Sequence, residues 1–323
     1  MSETSLVFRL TTPSFYQEGL REPQTLPSVL YVYAPEKEAS HVTDVLNRNG
    51  IPHLINQYNI GDCAGKTFCF YRRSALSCKQ RVFLTDAANA GGQVEALLEH
   101  LDERLKFVEV ELLHDDYLLE NNLLQQKLQQ QSHWLKRLLD IIMALGLLAL
   151  TLPIWLLTAL AIKLESPGAV FFRQQRTGLF NREFEIIKFR SMRQDAEKDG
   201  ARWATRNDSR ITKVGQFIRR TRIDELPQLL NVLKGDMSLI GPRPEREVFI
   251  HELEKHIPFY RFRHMVKPGV TGLAQVRYTY GASVEDAMHK HRHDMYYLKH
   301  QSLWMDVKIL LKTIQIVVTG QGV

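Results

Sequence analysis

Between Ile141 and Ile162 the chain reads IIMALGLLALTLPIWLLTALAI, 22 residues with no charged side chain and no Asn or Gln. As a helix rising about 1.5 Å per residue, such a run is long enough to cross the roughly 30 Å hydrocarbon layer of a bilayer. Two features argue against a straight crossing. Pro153 stands near the middle, where its ring removes one helical hydrogen bond and kinks the axis. Both flanks are basic, with Lys136 and Arg137 before the run and Lys163, Arg173 and Arg176 after it. The tendency of Lys and Arg to stay cytoplasmic would hold both ends on one side. The pattern predicts a re-entrant helix that enters, breaks at Pro153 and returns, a path tolerated where the freed backbone groups find partners. A spanning helix and a soluble core helix are the alternatives.

Charge divides the chain around this segment. The net charge of the 323 residues is +6, but residues 1–131 carry −5 and residues 132–323 carry +11. A basic half joined to an apolar run suggests anionic lipid or phosphate ligands. Nucleic acid is the rival for such charge, but no nucleic-acid motif accompanies it and the apolar run fits it poorly. The length suggests two domains. Met1 to Arg21 lacks the basic start and apolar run of a secretory signal. Cys63, Cys69 and Cys78 form no C-x-x-C pair and read as structural thiols in a reducing compartment.

The first hundred residues alternate as a small α/β domain with a mostly parallel sheet, which resembles a soluble Rossmann-like module. Leu26–Ala34, His53–Tyr58, Phe68–Tyr71, Arg81–Thr85 and Phe107–Leu112 are its strand candidates, and Lys37–Arg48 and Gln93–Arg104 its helices. No G-x-G-x-x-G or Walker loop is present, so nothing marks it for nucleotide binding. Asp115–Gln131, Leu- and Gln-rich without Gly or Pro, reads as a connecting helix. Its stripe of Leu118, Leu119, Leu123, Leu124 and Leu128 would pack on its own domain or support a homodimer. The expected organisation is a regulatory or assembly domain over 1–114, a connector over 115–135, and a membrane-anchored mixed α/β catalytic domain over 136–323. In that last part Ala169–Phe172 and Glu183–Phe189 alternate like strands, and Leu303–Val318 is a helix that packs on the domain or lies in the membrane interface.

The chemistry-bearing stretch is Arg219–Glu245, RRTRIDELPQLLNVLKGDMSLIGPRPE. Asp224 and Glu225 follow Arg219, Arg220 and Arg222 and precede an apolar helical pattern. They suit the positive end of a helix as a cap, but a carboxylate among arginines also stays ionised beside partners for phosphate oxygens. In Gly241-Pro242-Arg243-Pro244 two prolines fix the backbone and aim one guanidinium. Lys188 and Arg190 in KFRSM are two cations at the end of a strand, either an anion site or a solvated edge. Lys267–Gly272, KPGVTG, is a turn by composition. His289, His291 and His293 alternate, but on a helix they point in different directions and make no zinc site.

From about His133 to Val323 the chain resembles the bacterial sugar transferases, the monotopic polyprenyl-phosphate phosphoglycosyl transferases. The resemblance rests on KRLLD (136–140), the proline-broken apolar segment, SPGAVFFRQQRTG (166–178), FEIIKFRSM (184–192), RITKVGQFIRRTRIDELPQLLNVLKGDMSLIGPRPE (210–245), KPGVTGLAQV (267–276) and DVKILLKT (306–313). It implies that Asp224 attacks the β-phosphorus of a UDP-sugar in the presence of Mg²⁺, with Asp224 as a metal ligand and Glu225 assisting. UMP leaves, a phosphosugar-aspartate forms, and undecaprenyl phosphate takes the phosphosugar to begin an exopolysaccharide, capsule, O-antigen or other glycan. It further implies phosphate-binding roles for Lys188, Arg190, Arg219 and Arg243, the re-entrant break at Pro153, and a monotopic place on the cytoplasmic face of a bacterial inner membrane. A catalytically silent scaffold for polysaccharide assembly is the alternative, against which the intact acidic pair argues. Two departures stand out. Leu152-Pro153 replaces the family's Ser-Pro, with Thr151 nearby to hold a freed carbonyl. Arg277-Tyr278-Thr279-Tyr280-Gly281 replaces the Gly-Arg that often follows GLAQV, which leaves the sugar open.

Overall fold

The computed structural model describes residues 29–120, 133–196, 198, 200, 208–278 and 283–319. Contacts divide the chain into two compact units, one of residues up to Phe70 with Leu76–Glu95, the other of Tyr71–Ala75 with Ala96 onward. Residues 96–114, grouped with the first domain on sequence, thus make their contacts in the second unit.

The first unit follows the order β1 (Leu30–Tyr33), α1 (Glu36–Arg48), β2 (His53–Ile55), β3 (Thr67–Phe70), α2 (Cys78–Asn89) and β4 (Gln93–Ala96), with sheet order β2-β1-β3-β4. Strand β1 runs parallel to both β2 and β3, the arrangement expected of βα alternation. Tyr33, Phe68, Leu84 and Ala87 close its core. Arg81–Thr85, expected as a strand, lies inside α2. Ser77 accepts from the Gln80 amide while the Gln80 side chain accepts from the Ser77 amide, and this capping box starts a helix through the β-branched run. Gln93–Arg104, expected as one helix, divides into β4 and a later helix because the turn at Gly91 and Gly92 returns the chain to the sheet, where the Gln93 amide reaches the Lys66 carbonyl.

The second unit begins with α3 (Leu97–Leu105) and α4 (Asp115–Glu120), joined through a 3₁₀ turn at Val110–Leu112. Phe107–Leu112 is therefore not the strand its alternation predicts: Val108, Val110 and Leu112 bury their side chains without a ladder partner. Of the leucine stripe, Leu118 is buried and Leu119 exposed, whereas Leu123, Leu124 and Leu128 lie outside the described residues.

Helix α5 (His133–Glu165) carries the apolar run and is assigned as continuous helix through Pro153. It is long and apolar enough to cross a membrane, and only 11% of its most apolar window is buried. The Thr151 hydroxyl donates to Leu147 O at 2.6 Å, not to the Ala149 carbonyl that Pro153 frees. Both ends are tied to the same unit. At the start, Lys136 pairs with Asp306 at 2.5 Å, Arg137 donates to Val232 O and Leu233 O, and Asp140 accepts from the Leu239 amide at 3.0 Å. At the end, Ile162 packs with Phe189 and Ile218. Lys136 and Arg137, read on sequence as a basic flank and part of the KRLLD motif, are also structural clamps.

Strands β5 (Phe171–Thr177) and β6 (Glu183–Phe189) form an antiparallel hairpin with Phe172 opposite Lys188. Helix α6 (Lys213–Arg220) approaches so closely that a Cβ on Gly215 would lie 2.0 Å from Ser191 O. Helix α7 (Gln228–Lys234) locks the hairpin: the Asn231 side chain accepts from the Ile187 amide at 3.0 Å and donates to Glu185 O at 2.7 Å. Strand β7 (Ser238–Ile240) leads into Gly241–Pro244, helix α8 (Glu247–Leu253) follows, and β8 (Gly269–Thr271) pairs parallel to β7. KPGVTG is accordingly more than a turn. Cβ atoms on Gly241 and Gly272 would meet Lys267 O at 2.3 Å and Gly241 O at 2.0 Å, so the two loops pack backbone on backbone. Helices α9 (Leu273–Arg277), α10 (Val284–His300) and α11 (Leu303–Thr319) complete the unit.

Candidate active site

Asp224 and Glu225 sit in a 3₁₀ turn at Ile223–Glu225, not at the cap of a regular helix. Arg222 before them adopts the left-handed conformation, φ 60°, an uncommon one for a non-glycine residue. Pro227 then opens α7. The turn buries both acids to 7% exposure, yet they meet different surroundings.

Glu225 is wholly engaged. Arg243 Nη2 donates to its Oε1 at 2.5 Å and Nη1 to its Oε2 at 3.3 Å, and Lys188 Nζ lies 3.2 Å from Oε1. Burial alone would raise this carboxyl, but Arg243 and Lys188 outweigh it and hold it well below the usual carboxylate range. Burial in turn lowers the Lys188 ammonium, against the pull of Glu225. Asp224 lines the adjoining cleft, whose volume is about 510 Å³, and no hydrogen bond reaches its carboxylate among the described residues. Burial, and then the neighbouring Glu225 charge, raise its pKa to about 6, with Lys188 and Arg219 opposing. Two adjacent carboxylates are pushed apart by environment, one fixed as an anion and one poised.

Among the described residues the cleft presents ten Arg and Lys side chains against two carboxylates, Asp224 and Glu245. Among the described residues Arg219 Nη1 is buried without a hydrogen-bond partner, an uncommon state for a buried donor. The structure brings Lys188, Arg219, Arg243 and Asp224 together as the sequence suggests. Arg190 also lines the cleft, but its guanidinium is committed to the end of α5: Nη1 donates to Pro167 O at 2.7 Å and Nη2 to Ser166 O at 2.8 Å. These are orphan carbonyls past a helix terminus, and a fork of donors satisfies them.

Several lining groups escape the sequence reading. Arg176 from β5, Arg246 before α8 and Lys290 on α10 all reach the cleft. Lys290 lies within the histidine tract, whose buried members His291 and His293 are held neutral by desolvation, with pKa lowered to about 3. Phe171 and Phe172 form a half-exposed apolar rim, and the Phe171 ring stands 6.1 Å from Trp155 of α5. The departure at Thr279, Tyr280 and Gly281 lies outside the described residues. No cluster of His, Cys, Asp and Glu suited to hold a metal by itself occurs here among the described residues.

A buried, poised carboxylate beside anchored and unpartnered cations suits nucleophilic attack on a phosphorylated substrate. The chain is also similar to known proteins. The family described as Bacterial sugar transferase matches residues 131–320. The UDP-N-acetylgalactosamine-undecaprenyl-phosphate N-acetylgalactosaminephosphotransferase of Aeromonas hydrophila is 51% identical over 207 residues, 64% of this chain and 49% of that protein. The UDP-glucose:undecaprenyl-phosphate glucose-1-phosphate transferase of Caulobacter vibrioides is 47% identical over 186 residues, 57% of this chain and 70% of that protein. The Escherichia coli protein of the same name is 43% identical, over 56% of this chain and 39% of its own length. The chain thus spans about half the length or less of two of these three relatives.

Proposed function

Because the chain belongs to the bacterial sugar transferase family, we propose that it transfers a sugar-1-phosphate from a UDP-sugar to undecaprenyl phosphate, releasing UMP. The observation that carries this reading is the division of labour in the acidic pair: Glu225 is locked by Arg243 and Lys188, whereas Asp224 faces a cationic cleft with no hydrogen-bond partner among the described residues. A further support is that the family match covers residues 131–320, which hold the site, and that relatives are named for this reaction.

In the proposed reaction an Asp224 carboxylate oxygen attacks the β-phosphorus, and the bond from that phosphorus to the bridging oxygen breaks. UMP departs with the electron pair, leaving a phosphosugar-aspartate. A phosphate oxygen of the lipid then attacks the same phosphorus and the Asp224 carboxylate leaves, so atoms and charge balance without a further reactant. Splitting one transfer into two displacements is the usual gain of a covalent intermediate. Arg219 and Arg243, which line the cleft, would offset charge on the phosphoryl oxygens. Glu225 positions Arg243 and Lys188. Arg190 acts by holding the end of α5.

The donor set suits a magnesium ion, which takes one or two carboxylates together with substrate phosphates; Asp224 and the diphosphate would hold it. When bound, such an ion neutralises charge on the diphosphate oxygens.

The site is proposed to work at the cytoplasmic face of the membrane with α5 re-entrant. Its exposed apolar surface supports burial in lipid, with Leu150 at 76% exposure. A straight spanning helix would carry one end across the bilayer, away from a unit that lies on one side, whereas both ends of α5 are tied to the same unit. The Phe171 and Phe172 rim beside Trp155 offers the lipid substrate a path from α5 to Asp224.

The deciding experiment incubates the full chain with UDP-sugars and Mg²⁺ without lipid. UMP should appear, and the peptide containing Asp224 should gain the mass of one sugar phosphate, which added undecaprenyl phosphate discharges. Normal turnover with no adduct, and kinetics requiring both substrates bound together, would overturn the covalent route.

A further inference from the structure

We propose that the segment from Leu97 to Tyr117, which precedes the part matched by the family, is a strut that positions the active-site face of α10; the inference rests on the transferase reading of the cleft.

Helix α10 has two working faces. Ser283 at its cap, Ala287 and Lys290 line the cleft, and Asp294 follows one turn on; this spacing of three and four residues is one helical face. Arg292 and Lys299, seven residues apart, stand on the other. The first face leads to the acidic pair. Asp294 Oδ2 lies 2.7 Å from Arg263 Nη2, which donates to the Arg243 carbonyl at 3.0 Å, and Arg243 grips Glu225.

The second face is held by the segment. Arg292 Nη2 is 2.8 Å from Glu109 and 2.9 Å from Glu111, and its carbonyl accepts from the Val108 amide at 3.1 Å. Lys299 Nζ is 3.0 Å from Asp102 Oδ2, on which the Tyr117 hydroxyl also donates at 2.5 Å. Arg277 Nη1 donates to Lys106 O at 2.8 Å, tying α9 to the same segment. Asp102 and Glu109 are both fully buried. A buried ion pair costs heavily to break from one side because the remaining charge is stranded. The segment therefore fixes α10 in rotation and height, and through it Lys290 and the Arg263–Arg243 chain. Asp102 and Glu109 are positioning residues, since neither lines the cleft.

The test uses the full chain with Glu109→Gln, and Glu111→Gln as a milder variant at a partly exposed position. Hydrogen exchange should rise in Val284–His300 and in residues 240–246 as well as in residues 97–118. The KM for the UDP-sugar should rise about tenfold in Glu109→Gln, the scale of coupling between linked charged groups, with a smaller rise in Glu111→Gln. A variant that only loses folded protein lowers kcat and leaves KM unchanged. Faster exchange confined to residues 97–118, or an unaltered KM in a folded variant, would overturn the strut. If Glu109→Gln fails to fold, Glu111→Gln decides. If the unaltered chain releases no UMP from any UDP-sugar, the transferase reading fails, and the exchange pattern still judges the strut.

Discussion

Asp224 and Glu225 are neighbours in sequence with opposite fates, and the difference makes each testable. Asp224→Asn keeps the shape but removes the attacking charge, so UMP release should fall by orders of magnitude while the fold persists. The pH dependence follows from the raised pKa of about 6. The nucleophile is the ionised form, so the rate should be full above that value and fall about tenfold per pH unit well below it. UMP release without lipid is the measurement to use, because the lipid phosphate titrates nearby. Arg219 lowers the Asp224 pKa, so Arg219→Gln should move this acid limb upward; an unchanged limb would assign it to another group. Arg243→Lys keeps the charge but loses the two-pronged grip on Glu225, and kcat/KM should fall by roughly 10²-fold, the scale of one well-placed donor.

At the scale of elements, α5 is defined by its ends as much as by its apolar middle. The Lys136–Asp306 pair is mostly shielded, and Tyr297 donates to the other Asp306 oxygen at 2.7 Å. Lys136→Met should lower stability by about 3–5 kcal/mol, the cost of stranding one partner of a buried pair, read as a lower unfolding midpoint in detergent. The re-entrant path predicts that cysteines placed at Trp134 and Lys163, in a background lacking the native ones, are labelled from the cytoplasmic side alone. Labelling of either from the periplasm would establish a spanning helix. Pro153→Ala restores the missing amide and should shift some molecules toward the spanning form.

At the scale of the whole molecule, the position of the strut separates two shortenings that the sequence pattern alone does not. A chain beginning at Ala96 keeps Asp102, Glu109 and Glu111, and should retain UMP release. A chain beginning at Asp115 exposes Arg292 and Lys299 and should lose most of it, even where it folds. Equal activity of the two would show that Leu97–Tyr117 serves only to link the units.

The sequence by itself determined the membrane-length apolar run, the basic character of the catalytic half, and the motifs that contain Lys188, Arg219, Asp224 and Arg243. Each is a matter of composition or short spacing, which survive without a fold. It misjudged Arg81–Thr85, because local capping by Ser77 and Gln80 outweighed β-branched residues. It left open the contacts of Arg190, Lys136 and Arg137, whose charge is visible in the sequence but whose partners are carbonyls and carboxylates brought from distant positions. Only the tertiary structure decided which acid is engaged by cations, since the two carboxylates have similar ordinary pKa values and meet different neighbours. A carboxylate's state depends on burial and nearby charge, and Arg243 and Lys188 reach Glu225 from elements far apart along the chain.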